Sequence, residues 1–251
     1  MSEAATLALP PHRRREVLRQ SWSVGIATGL YGVSFGALSV AAGLSIWQTQ
    51  ALSLLMFTGG SQFAFVGIVG AGGLAAAPAA IATATMLSIR NGLYALQTSR
   101  FLGVSGLRRA AAAQITIDES TAVGLAQPEV RGQRTGFWHT GVSVFLFWNL
   151  LTFVGALAGN ALGDPKTYGL DGAAVAAFVA LVWPRLHSTS ARLAAALAVA
   201  LALATSPLVP PGVPVLIAAL AAVALGLRSA AQHEPPLEGS DGELPGADPV
   251  P

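Results

Sequence analysis

The chain has 251 residues, 53% of them hydrophobic and 10% charged, against about 25% charged in an average soluble domain. It contains no cysteine, which excludes disulfides, thiolate catalysis and Cys-based metal sites. The formal net charge of +2 comes without a basic-aromatic surface pattern, so nucleic acid is not an expected partner.

Residues 1–20 read as a short polar arm carrying Arg13, Arg14, Arg15 and Arg19. The apolar stretch that follows has no small-residue cleavage site, so it reads as a retained first span and not as a signal peptide. No charged residue occurs from 20 to 89, and further uncharged runs cover 135–163, 172–184 and 193–227. A spanning helix needs about 20 apolar residues to cross the hydrocarbon, so the first run alone has room for three. Spans are expected near 22–42, 48–70, 75–97, 137–160, 171–187, 191–206 and 212–228. The fold class is all-α: a polytopic integral membrane protein of about seven to eight transmembrane helices, with broken helices and a weak internal repeat among its expected features. The membrane domain occupies 21–229. Residues 230–251, rich in proline and acids and lacking Lys and Arg, form a disordered tail, because they cannot bury enough apolar surface to offset ordering.

The segment 110–126 carries two acids at its centre, and the distribution of arginines bears on whether it crosses. If it crosses and the amino terminus is cytoplasmic, nine basic residues fall inside and four outside, with Arg90 in the membrane. If it does not, the split becomes five inside against eight outside. Eight crossings are therefore favoured, with a re-entrant or broken segment as the alternative. Trp22, Trp47, Trp138 and Trp183 fall near proposed span ends, where indoles favour the headgroup boundary.

In the first span Gly25, Gly29, Gly32 and Gly36 recur at helical spacing, which makes a seam for close helix packing. The middle of the second reads Phe57-Thr58-Gly59-Gly60-Ser61-Gln62-Phe63. Adjacent glycines weaken a helix at bilayer depth, and broken helices with polar neighbours are how many transporters expose backbone groups to substrate. Thr58, Gly59, Gly60, Ser61 and Gln62 are therefore candidate substrate-binding residues. A kinked helix with self-bonded hydroxyls is the plainer alternative. The third span contains Arg90 and Asn91, with Tyr94 on the arginine's face, and these are further candidates. An arginine inside a span costs about 3 kcal/mol or more unless paired or hydrated, and Asp118 and Glu119 are its natural partners. Both acids are candidates for proton coupling, with a purely structural ion pair as the alternative. Asp171 is expected to cap a helix, Asn149 to bond a neighbouring helix, and His139 and His187 to be surface groups at span ends.

The stretches 35–73, SIRNGLYAL (88–96), ITIDES (115–120) and the GLD…WP stretch from Gly169 resemble the AzlC family of branched-chain amino acid permeases. The resemblance extends over residues 22–228. It implies export of branched-chain and related hydrophobic amino acids across the bacterial cytoplasmic membrane, and a small AzlD-type membrane subunit as partner. Members commonly show Arg-His where this chain has Arg90-Asn91, and Tyr-Gly where it has Tyr94-Ala95. An imidazole relay at position 91 is thus absent, which leaves Asp118 and Glu119 to carry protons. The expected mechanism has the zwitterion met by backbone ends, Gln62 and Arg90, with its side chain against Gly- and Phe-rich walls. The phrases GLS (43–45) and GLD (169–171) each precede an apolar span and suggest a duplication remnant.

Enzymatic readings are disfavoured. Gly32–Gly36 matches GxSxG but lies in a membrane helix, whereas that motif needs a strand–turn–helix elbow. Gly103–Gly106 matches GxSG, with no mid-span histidine as base, and there is no HExxH metal site. A non-transporting scaffold or receptor subunit is the remaining alternative, and such a protein would not need a polar cluster at the midplane.

Overall fold

The structure, a computed structural model, describes residues 9–161, 179, 182–183, 186–210 and 213–232. Among these residues it is helical without strands. In chain order the helices are α1 (Pro11–Ala41), α2 (Ile46–Leu55), α3 (Gly59–Gly72), α4 (Ala77–Leu102), α5 (Gly106–Gln114), α6 (Asp118–Leu125), α7 (Val130–Ala161), α8 (Thr189–Thr205) and α9 (Val213–Gln232). A 3₁₀ turn, Gly73–Ala76, joins α3 to α4. Helix α1 starts at Pro11, a residue suited to a first helical position, so half of the expected polar arm is in fact helical.

The core is the pair α1–α7. Gly25 lies against Ser143, Gly29 against Phe147, Gly32 against Trp148 and Thr152, and Gly36 against Thr152 and Ala156. Residue numbers rise together on both helices, so the two run parallel. From the other side Gly155 meets Val33 and Gly159 meets Ala37. A Cβ at Gly36 or Gly155 would overlap partner backbone, which shows why this seam uses glycine. Close backbone approach drives helix association in lipid, where hydrophobic burial gives little. Large apolar side chains such as Leu30, Ile89, Leu93 and Leu150 face outward, while Ser21, Gln62, Thr83, Thr140, Ser143 and Thr152 are buried. That inversion of a soluble protein's pattern suits a lipid surround. Three helical stretches, Pro11–Ala41, Gly59–Leu102 and Val130–Ala161, are long and apolar enough to cross a membrane, and Thr189–Thr205 and Val213–Val223 are shorter apolar helices. This is an all-α membrane protein.

The segments between α1 and α7 depart from the sequence reading. Helix α2 descends beside α7, with Trp47 near Phe153, Gln50 donating to the Asn149 carbonyl and Phe57 against Phe145. Backbone at Met56–Thr58 leaves the helix, and α3 then returns toward the far end of α1, where Gly70 packs on Ala42. The expected span at 48–70 is therefore not one crossing but a re-entrant hairpin from the end that holds Ala41. Helix α4 runs the whole way, turning in at Gly73 (φ 63°) and ending where Arg134 Nε donates to the Phe101 carbonyl at 2.6 Å. From that end α5 rises until Ile115 packs on Gly141, and α6 falls back until Gly124 meets Gln133 and Phe137. The segment 110–126 is thus a second re-entrant hairpin and not a continuous crossing; each of its helices has under ten residues, too few for the hydrocarbon.

Two consequences follow. First, α1–α2–α3 and α4–α5–α6 each consist of a full-length helix and a re-entrant hairpin, entering from opposite ends. This is an inverted repeat, unlike the GLS/GLD match, whose second member lies outside the described residues with Asp171 and most of the expected span 171–187. Second, the end of α4 with Arg100 and the start of α5 with Arg108 and Arg109 sit at the same end as the starts of α1 and α7, not opposite them. Gln127 donates to Gln20 at 3.2 Å and Arg13 approaches Glu129 at 3.9 Å at this end.

Candidate functional site

The tips of the two hairpins meet at mid-depth around a cavity of about 290 Å³. Its wall includes Thr28 and Tyr31 of α1, Phe57 to Gly60 and Phe63, Leu87 and Arg90 of α4, Ile117 to Glu119, and Val144 and Trp148 of α7. That volume sits at the small end of ligand pockets, which run from about 300 to 1,000 Å³.

Each hairpin contributes the beginning of a helix. Helix α3 opens with Gly59 and Gly60 at the cavity, and its N-cap residue Thr58 makes no side-chain cap bond. Thr58 Oγ1 lies instead 3.5 Å from Ser61 Oγ. The first N–H groups of a helix have no intrahelical acceptor and carry the positive end of its dipole, so this end favours an anion. Gly60 also admits Arg90: a Cβ there would stand 3.1 Å from Nη2. Helix α6 opens with Asp118 and Glu119, acids placed in the first turn where the dipole favours them. Ser120 Oγ accepts from the Ile117 N–H and donates to the Ile115 carbonyl, which ties the break together.

Arg90 Nη1 donates to Asp118 Oδ2 at 3.0 Å, and their side chains are 30% and 22% exposed. The pair lies at the cavity wall and not in sealed interior. Arg90 Nε has no hydrogen-bond partner among the described residues.

The opposite helix ends are closed by side chains. Gln62 Nε2 donates to the Leu52 and Ser53 carbonyls at the end of α2, and Gln114 Nε2 donates to that of Leu54. Thr116 Oγ1 donates to the Ala112 carbonyl at the end of α5. Carbonyl ends are therefore spent on the protein's own donors, while the amino ends face the cavity.

Of the residues singled out in the sequence, Thr58, Gly59, Gly60, Arg90, Asp118 and Glu119 share this wall. Ser61 and Gln62 are fully buried behind it, with Ser61 Oγ accepting from Ser88. Gln62's amide braces α2, so the structure gives it a scaffold contact where a substrate contact was expected. Asn91 and Tyr94 do not line the cavity. Trp148, Tyr31 and Thr28 were not singled out. Trp148 packs on Gly59, stacks with Phe35 at 5.9 Å and meets Phe63 edge-on. Its clue in the sequence was the run FLFWN, an aromatic cluster in mid-span beside Asn149.

A polytopic helical membrane protein with broken half-helices around a central charged cavity has the build of a secondary transporter. The AzlC protein family model matches residues 23–162, more than half the chain and all of the residues that form the cavity's hairpins. The chain belongs to the AzlC family, which is associated with branched-chain amino acid transport. No curated protein and no solved structure matches it.

Proposed function

We propose that this chain is the large subunit of a secondary transporter that exports leucine, isoleucine, valine and methionine across the bacterial cytoplasmic membrane. The observation that carries the reading is the cavity where two re-entrant helix starts meet Arg90 and Asp118. A hydrophobic amino acid needs an anion site, a cation site and an apolar wall within a few ångströms. The Gly59–Gly60 end of α3 with Arg90 supplies the first, Asp118 and Glu119 the second, and Phe57, Phe63, Leu87, Ile117, Val144 and Trp148 the third. One of the two acids takes up a proton during the return step, as intramembrane carboxylates do in proton relays. The amino terminus is cytoplasmic. Nine arginines (13, 14, 15, 19, 100, 108, 109, 131 and 134) gather at the helix ends where α1 starts, and a basic excess close to the span ends stays inside. A small AzlD-type membrane protein completes the exporter, and the chain is a carrier and not an enzyme.

The test is efflux of preloaded labelled leucine, valine and methionine from cells expressing the chain with and without its small partner. Efflux only with both supports a two-component exporter. A well-expressed, membrane-inserted pair that moves none of the three refutes the substrate class.

A further inference from the structure

Resting on that reading, we infer that the Arg90–Asp118 ion pair is a stand-in for the substrate: the amino acid enters by inserting its zwitterion into the pair, carboxylate to Arg90 and ammonium to Asp118. Both partners lie on the cavity wall, and each is partly open to it. Arg90 also reaches the N-terminus of α3, with Nη2 beside Gly60. The guanidinium thus stands between two anion positions. One is filled by Asp118 Oδ2 at 3.0 Å, and the other is the helix start that a carboxylate would occupy. Arg90 has five N–H donors in a planar fork and so can hold a carboxylate bidentately.

Charge accounting gives the reason for the arrangement. With the cavity empty, the pair neutralises itself at bilayer depth, where an uncompensated charge is expensive. With a zwitterion inserted, Arg90 faces a carboxylate and Asp118 an ammonium, so in neither state is a member of the pair left uncompensated. A ligand with only one of the two groups opens the pair and compensates one side of it. Among the described residues, the other ionisable groups on the wall are Tyr31 from α1 and Glu119 beside Asp118; α3 and α7 bring none to it. Both halves of the zwitterion are therefore obligatory, and the pair sets that requirement.

Binding to the full-length protein, co-reconstituted in nanodiscs with its small membrane subunit, tests this, using leucine, 4-methylpentanoate (leucine without its ammonium) and 3-methylbutylamine (leucine without its carboxylate). In the wild type each fragment should bind at least about tenfold more weakly than leucine, a difference of about 1.4 kcal/mol. Asp118→Asn should lose leucine affinity and gain 4-methylpentanoate, because Arg90 then lacks its resident anion. Arg90→Gln should gain the amine and lose the acid. Fragments that bind the wild type as well as leucine does, or that respond identically to both substitutions, overturn the inference while the transport reading stands. Failure of the wild type to bind leucine overturns both. The wild-type comparison decides even if a variant does not fold.

Discussion

The two re-entrant hairpins are built alike and finished oppositely. Each enters from one end of the bundle, breaks after a short helix and returns, and each presents the amino end of its second helix to the same cavity. In the first hairpin that end is Gly59-Gly60, with no charge and no side-chain cap, so its partial positive charge is left for a ligand. In the second it is Asp118-Glu119, which outweighs the same dipole and turns the end negative. One backbone device thus becomes an anion receptor or a cation receptor according to its first two residues. Arg90, from the full-length helix between them, reaches both.

The largest effect should follow from removing the shared cation. Arg90→Gln is expected to weaken leucine binding about 10- to 100-fold, since hydrogen bonds to charged groups contribute about 1.5–3 kcal/mol. Near-wild-type affinity would mean that the dipole of α3 alone holds the carboxylate. Next come the braces on the carbonyl ends. Gln62→Ala strips Leu52 and Ser53 of a donor and should destabilise the protein by about 1–3 kcal/mol, read as a lower Tm in detergent. Leucine affinity of the protein that remains folded should change little; a selective loss of affinity would instead make Gln62 a ligand-binding residue. The smallest effects distinguish the two breaks directly. Ser120→Ala removes the hydroxyl that ties Ile117 to Ile115 and should cost about 1 kcal/mol. Thr58→Val keeps the branched shape and removes a hydroxyl that caps nothing, so it should cost less than about 0.5 kcal/mol, below the value of a working N-cap. Equal thermal shifts for these two would remove the distinction between an open and a tied helix start.

Much of the site was legible in the sequence because its parts violate the rules of a lipid-exposed helix. Adjacent glycines with hydroxyl neighbours, an arginine after 70 uncharged residues, and two acids inside an apolar stretch each stand out against composition. The course of the chain was not legible. Residues 46–72 are apolar and more than long enough for one crossing, and hydropathy counts length without seeing that the path reverses. What reverses it is the non-helical Met56–Thr58 and the distant partners that satisfy its freed carbonyls, Gln62 and Gln114. The distribution of arginines follows the same reversals. Treating both hairpins as crossings placed Arg100, Arg108 and Arg109 opposite the amino terminus, whereas two re-entrant segments gather nine arginines at one end. Gln62 looked like a ligand because a buried amide in lipid needs a partner; its partner is a helix end ten residues back in the chain. Trp148 and Tyr31 reach the cavity only through the parallel packing of α1 on α7, which no local pattern announces.

The central claim is that the amino acid sits where the two hairpin tips meet. A chain without cysteine allows this to be probed by a single introduced thiol. Thr28→Cys places one on the cavity wall, and Leu107→Cys places another at a position 90% exposed and away from that wall. The measurement is the rate of maleimide labelling of each variant in membranes with and without saturating leucine. The account predicts that leucine slows labelling at Thr28→Cys and leaves Leu107→Cys unchanged. Equal rates at Thr28→Cys with and without leucine, in protein that still transports it, would contradict the account.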